Sequence, residues 1–150
     1  MKDSRIGTFG AVAILLMLLT KFICLINMRA SDIPIVLVSG HAFSRFLPVC
    51  LIYTSTYVRE EVSGKSKPMG HKGSGISFWV ATCFSVFALI FVPWKAILII
   101  AVLSFLVFIF FSWYTRRKIG GYTGDVLGAL QQLAEITFYL GFLIYAQNLE

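Results

Sequence analysis

The chain has 150 residues, 58% of them hydrophobic and 13% charged, where an ordinary soluble domain carries about 25% charged residues. With fourteen phenylalanines and a mean hydropathy of +0.84, a soluble globular domain is excluded and an all-α, polytopic membrane bundle of about five helices is expected. The formal net charge of +6 raises nucleic acid as a partner, but its distribution along the chain excludes it, as the order of the segments shows.

Five apolar stretches are long enough to cross a bilayer, which takes about 20 residues. They run over 6–28, 33–56, 76–92, 95–114 and 126–147, the third short and the first interrupted by Lys21. Too little remains for a soluble domain, so residues 1–150 read as one integral membrane domain. The first stretch begins almost at once after Met1 and no small-residue cleavage site follows, so no removable signal peptide is expected. Its opening "KDSRIGTFG" puts Asp3 and Arg5 at the start of a helix, where a carboxylate is electrostatically well placed.

In the second stretch His41 and Arg45 are four residues apart within "SGHAFSRFLPV", one turn from each other on a single helical face. Pro48 follows and is expected to kink the helix. Two readings of Arg45 stay open: a structural ion pair with an acid on another helix, or an anion contact, since a guanidinium offers a rigid fork to phosphate oxygens. The connection over 57–75 is rich in Gly, Ser and Lys. It reads as a flexible loop or as a lid over a phosphate-attracting site. Val92-Pro93-Trp94-Lys95 makes a tight hairpin between the third and fourth stretches, and Trp113 and Tyr114 sit beside "RRK", as an interfacial aromatic belt does.

Before the fifth stretch stands "GGYTGD", whose glycines would let backbone approach a ligand closely. Thr123 is expected to cap the helix that follows. At helical spacing, Asp125, Gly128, Gln132, Glu135 and Tyr139 share one side. Asp125, beside the glycine turn, reads as a Mg²⁺ ligand. Glu135 lies deeper and reads as part of a polar seam pairing with Arg45 or Lys21. Cys24, Cys50 and Cys83 lack metal-ligand spacing and are expected to be small buried hydrophobes.

Alternating crossings put Lys2, Arg5, Arg59, Lys65, Lys67, Lys72, Arg116, Arg117 and Lys118 on one side, nine in all, and only Arg29 and Lys95 on the other. By the positive-inside rule the first side is cytoplasmic, with the N-terminus inside and the C-terminus outside. The basic loops are topology signals and contacts for anionic lipid head groups rather than nucleic-acid contacts. Asp3, Arg5, the lysine loop and the glycine–Asp turn then all gather on the cytoplasmic face.

"MKDSRIGTFG" at residues 1–10, "SGHAFSRFLPV" at 39–49 and "GGYTGDVLGALQQLAEI" at 120–136 together resemble cobalamin synthase, the adenosylcobinamide-GDP ribazoletransferase family of bacterial inner-membrane enzymes. The three blocks keep the family's order and span nearly the whole chain. The resemblance implies a Mg²⁺-dependent transfer of cobinamide phosphate from adenosylcobinamide-GDP to α-ribazole or its phosphate, with release of GMP. Chemistry of this kind rests on positioning and charge neutralisation. It further implies Asp3 and Asp125 on the metal side and Arg5 and Arg45 on phosphate. His41 would orient or deprotonate the attacking hydroxyl, and Thr123 and Gly124 would lie against substrate. The family's part upstream of "MKDSRIG", with further acids, has no counterpart here, so the chain alone is expected to be inactive or nearly so. A second chain supplying that part, or a homo-oligomer, is the partner this leaves open. The competing readings are a small membrane transporter, which would place polar groups at many depths, and a non-catalytic membrane subunit.

Overall fold

The structure, a computed structural model, describes residues 7–58 and 75–148. Among them are six helices: α1 (Thr8–Ile26), α2 (Ile33–Ser44), α3 (Phe46–Thr54), α4 (Gly75–Leu89), α5 (Trp94–Ile119) and α6 (Gly124–Asn148). Four spans are long and apolar enough to cross a membrane: α1, α2–α3 taken together, α5 and α6. Helix α4 has 15 residues, about 22 Å at 1.5 Å per residue, and falls short of a hydrocarbon core of about 30 Å. The polytopic helical bundle is as expected. Asp3, Arg5 and most of the lysine loop, residues 59–74, lie outside the described residues.

The second stretch is broken rather than kinked: α2 ends at Ser44 and α3 starts at Phe46, with Arg45 as the joint. Pro48 accounts for the break. It has no N–H to offer the Ser44 carbonyl, and its ring crowds that carbonyl, so the disruption falls one turn before the proline. Pro34 occupies the first turn of α2, where its missing N–H has no partner to lose. Helix α5 ends on Gly120, whose φ of 82° makes a left-handed C-cap. Arg116, Arg117 and Lys118 fill its last turn, complementing the helix dipole, and Arg117 lies over the Trp113 ring at 5.4 Å. Helix α6 starts on the expected cap, the Val126 N–H donating to Thr123 Oγ1 at 3.4 Å. Replacing Thr123 with Ala should lower thermal stability in detergent by about 0.5–1 kcal/mol; no change would mean that the long bond contributes nothing.

Two apolar layers order the bundle. In one, Met28, Val36, Val92, Ala96, Phe138 and Phe142 pack with Ile33, Leu89 and Tyr145. In the other, Leu47, Leu51, Tyr122, Leu130 and Ala134 pack with Phe111 and Val126. The end of α1, the start of α2, the α4–α5 turn and the end of α6 therefore share one end of the bundle. The end of α3, the end of α5 and the start of α6 share the other. Contact between the helices is close where glycine permits it. A Cβ on Gly40 would meet Tyr139 Cε1 at 2.7 Å, and one on Gly141 would meet Ile100 Cγ1 at 2.8 Å. Small residues at crossings are the usual route to tight helix packing in lipid. Ser39 Oγ also donates to the Ala88 carbonyl at 2.7 Å and ties α2 to α4. Of the cysteines only Cys24 is buried; Cys50 is partly covered and Cys83, on α4, is exposed among the described residues.

Candidate functional site

The "GGYTG" turn is built by the chain's own backbone. Tyr57 and Tyr122 form an isolated parallel bridge. The Tyr122 N–H donates to Thr56 O at 3.0 Å, and the Val58 N–H donates to Tyr122 O at 2.9 Å. The two tyrosine rings lie 5.5 Å apart. From α5, Arg116 donates through Nε to Ser55 Oγ at 3.1 Å and through Nη2 to Thr54 O. A Cβ on Gly121 would collide with the Thr56 carbonyl. The close approach that this glycine permits is therefore to residues 56–58 rather than to a ligand. Gly120 serves the helix cap, and both it and Gly124 have open space around them. Burial pushes the Tyr122 phenol above its ordinary range, with Tyr57 adding to the effect.

His41 and Arg45 do come together, with Arg45 Nη2 3.0 Å from His41 Nε2. A guanidinium can only donate, so Nε2 accepts. Both line a cleft of about 530 Å³ between α2–α3 and α4, whose other walls are Val38, Ala42, Phe46, Val49, Ala81 and Phe84. The pair is thus a cationic spot in an apolar trough. Arg45 is the residue just before α3, whose 9 residues set it about 13 Å along the axis from the clasped end.

Asp125 stands exposed in the first turn of α6, after Thr123 and Gly124. It does not line the cleft that holds Arg45. Among the described residues no group of three or more His, Cys, Asp and Glu could hold a metal ion, so these residues do not by themselves make a Mg²⁺ site. Asp125 is one hard oxygen ligand at an accessible helix start.

The polar stripe on α6 turns inward as it climbs. Asp125 and Gly128 are exposed, Gln132 is partly covered, and Glu135 and Tyr139 are buried. Glu135 resolves onto Lys21 of the two partners expected for it: Lys21 Nζ lies 3.0 Å from Glu135 Oε2. Lys21 also donates to Gln132 Oε1 at 2.6 Å, and Tyr139 donates to Glu135 Oε1 at 2.8 Å. Each carboxylate oxygen thus has a donor, as a buried charge in lipid requires. Sequence reasoning put Tyr139 on the stripe without a task, although its place one helical turn after Glu135 was a legible signal. It took Arg116 for a topology signal and a contact for anionic lipid head groups, and nothing in the sequence marks its hold on Thr54.

The family described as cobalamin-5-phosphate synthase matches residues 1–143. A protein of Shewanella piezotolerans named adenosylcobinamide-GDP ribazoletransferase is 40% identical over 149 residues, covering 96% of this chain and 57% of the relative. A Vibrio cholerae protein of the same name is 36% identical over 150 residues, covering 99% of this chain and 57% of the relative. The chain spans a little over half the length of the curated relatives it matches. No solved structure matches it. With the match running through the broken α2–α3 arm, the clasped glycine turn and most of α6, the chain belongs to the cobalamin-5-phosphate synthase family.

Proposed function

We propose that this chain contributes to the transfer of cobinamide phosphate from adenosylcobinamide-GDP to α-ribazole or α-ribazole phosphate, with GMP leaving. The observation that carries the reading is the 40% identity over 149 residues to a protein named for that activity. The geometry supports it in two places. Arg45 offers a guanidinium fork whose described polar partner is a neutral acceptor, His41, so it can turn to a phosphate without breaking an ion pair. Once it does, His41 Nε2 is free to orient or deprotonate a hydroxyl. At the start of α6, Thr123, Gly124 and Asp125 present a capped helix terminus with open space beside Gly124, and Asp125 is proposed to contribute one ligand to Mg²⁺. Bound there, the ion would neutralise charge on the diphosphate. Asp3 and Arg5, together with residues from the rest of a family-length protein, would complete the site. That remainder would come from a longer or a second chain. The site is proposed to face the cytoplasm, in a protein integral to the bacterial inner membrane with its N-terminus cytoplasmic and its C-terminus outside. A transport reading gains nothing from the mid-membrane polar groups, because Lys21, Gln132, Glu135 and Tyr139 satisfy one another.

The test is a chimaera in which this chain replaces the matched 57% of the Shewanella relative, reconstituted in liposomes with both substrates and Mg²⁺. GMP release is expected. Arg45→Ala and Asp125→Asn should each lower it by about 10²-fold, the usual loss when one preorganised electrostatic contact is removed. A chimaera that inserts and folds but releases no GMP, or one indifferent to both substitutions, would end the reading.

A further inference from the structure

The contacts at the clasped end point to a role that neither the family match nor the cleft explains. Residues 54–58 leave the α3 arm that carries Arg45, and residues 116–122 lead directly into the helix that opens with Asp125. Four hydrogen bonds with a described geometry join the two: Tyr122 N–H to Thr56 O, Val58 N–H to Tyr122 O, Arg116 Nε to Ser55 Oγ and Thr56 Oγ1 to Gly120 O at 3.4 Å. Arg116 reaches Thr54 O as well. The contact exists only because position 121 has no Cβ. Asp125 does not line the Arg45 cleft, and the side chains that join α3 to α6, Leu47 and Leu51 against Leu130 and Ala134, are apolar. Apolar packing brings the two helices together without direction, and the directional hydrogen bonds of the clasp fix their register.

We propose that Arg116 and Gly121 are positioning residues: they clasp residues 54–58 to the 120–122 turn and so hold the Asp125 end of α6 in register with the Arg45 arm. This rests on the functional reading above for its catalytic consequence, but the clasp itself is a claim about geometry. A positioned pair of charges tolerates little displacement, since a misplacement of about 1 Å can lower turnover by about 10²-fold. Arg116 is exposed and an exposed polar contact adds little to stability, so its loss should act on geometry far more than on folding.

Two measurements separate the geometric from the catalytic claim. Spin labels at Val49 on α3 and Ala129 on α6 should give a narrow distance distribution in the parent chain. It should broaden in Arg116→Gln and in Gly121→Val, and narrow again in Arg116→Gln when Tyr57→Cys and Tyr122→Cys are joined by a disulfide, for which bridge partners lie at suitable spacing. In the chimaera, Arg116→Gln should lower kcat about tenfold or more with KM little changed, Arg116→Lys should recover part of it, and the oxidised cysteine pair should recover more than the reduced one. Distances unchanged by both substitutions, or cysteines at 57 and 122 that do not join under mild oxidation, overturn the clasp whatever the activity. Broadened distances with unchanged turnover overturn its catalytic role. Broadened distances in a chimaera that is inactive even as parent support the clasp and refute the functional reading instead.

Discussion

Replacing Lys21 with Met should destabilise the bundle by about 3–5 kcal/mol, because it strands a buried Glu135 carboxylate without its counter-charge. Among the described residues that carboxylate has no alternative cation: Lys21 Nζ is its ion-pair partner at 3.0 Å, and Tyr139, at 2.8 Å on the other oxygen, is a neutral donor. Glu135 lies ten residues after Asp125, about 15 Å along the helix axis, too deep for water to take over. The double substitution Lys21→Met with Glu135→Gln should recover most of the loss. Removing both charges abolishes the desolvation penalty, and a glutamine oxygen can still accept from Tyr139. Unfolding of purified protein in mixed detergent micelles would measure all three. Magnitude decides the interpretation. An ordinary interhelical hydrogen bond in a membrane protein averages about 0.6 kcal/mol. A single-mutant loss of that size, unrelieved in the double mutant, would show that the charges are solvated and that the pair is not a buried one.

The second large effect is steric. Leucine at position 141 should destabilise the bundle by about 3 kcal/mol or more, at or beyond the upper range for overpacking. A Cβ there would meet Ile100 Cγ1 at 2.8 Å and, behind it, backbone: Ile100 Cα at 3.2 Å and N at 3.4 Å, so swinging the isoleucine aside does not make room for a leucine and α5 and α6 must separate. Gly40→Ala should act by another route. Its Cβ would press on the Tyr139 ring at 2.7 Å and on Phe138 at 3.0 Å, and both rings are fully enclosed. Relief by tilting the tyrosine would pull its hydroxyl from Glu135, so the loss at Gly40 should be smaller in a Glu135→Gln, Lys21→Met background. Gly128→Ala serves as the control, since nothing lies within 4 Å of a Cβ there; it should be neutral or stabilising by up to about 1 kcal/mol. Equal effects at 128 and 141 in a thermal scan would refute the packing argument.

Much of this molecule is written in local patterns. Membrane character follows from composition, because apolar runs near 20 residues have few other uses. The break in the second span follows from Pro48, which acts on the carbonyl four residues earlier regardless of what packs around it. The caps at Thr123 and Gly120 follow from backbone chemistry within one turn, and the His41–Arg45 contact from i, i+4 spacing on a single helix. The Glu135 seam was legible as a need, since a buried acid must find a donor, and Lys21 was one of two candidates.

What only the tertiary structure decided is which distant residues meet. The choice of Lys21 over Arg45 for Glu135 depends on α1 lying against the polar stripe of α6 while Arg45 turns toward α4. Nothing local specifies that arrangement. The use of Gly121 depends on the chain returning 64 residues later to lie beside Thr56; a glycine-rich turn looks the same in sequence whether it admits a ligand or another strand of backbone. Separating Asp125 from the Arg45 cleft likewise required the helices to be placed. Helical periodicity fixes which side of each cylinder a residue occupies, but in lipid every outer face is apolar, so hydrophobic pattern alone does not say which sides of two cylinders touch.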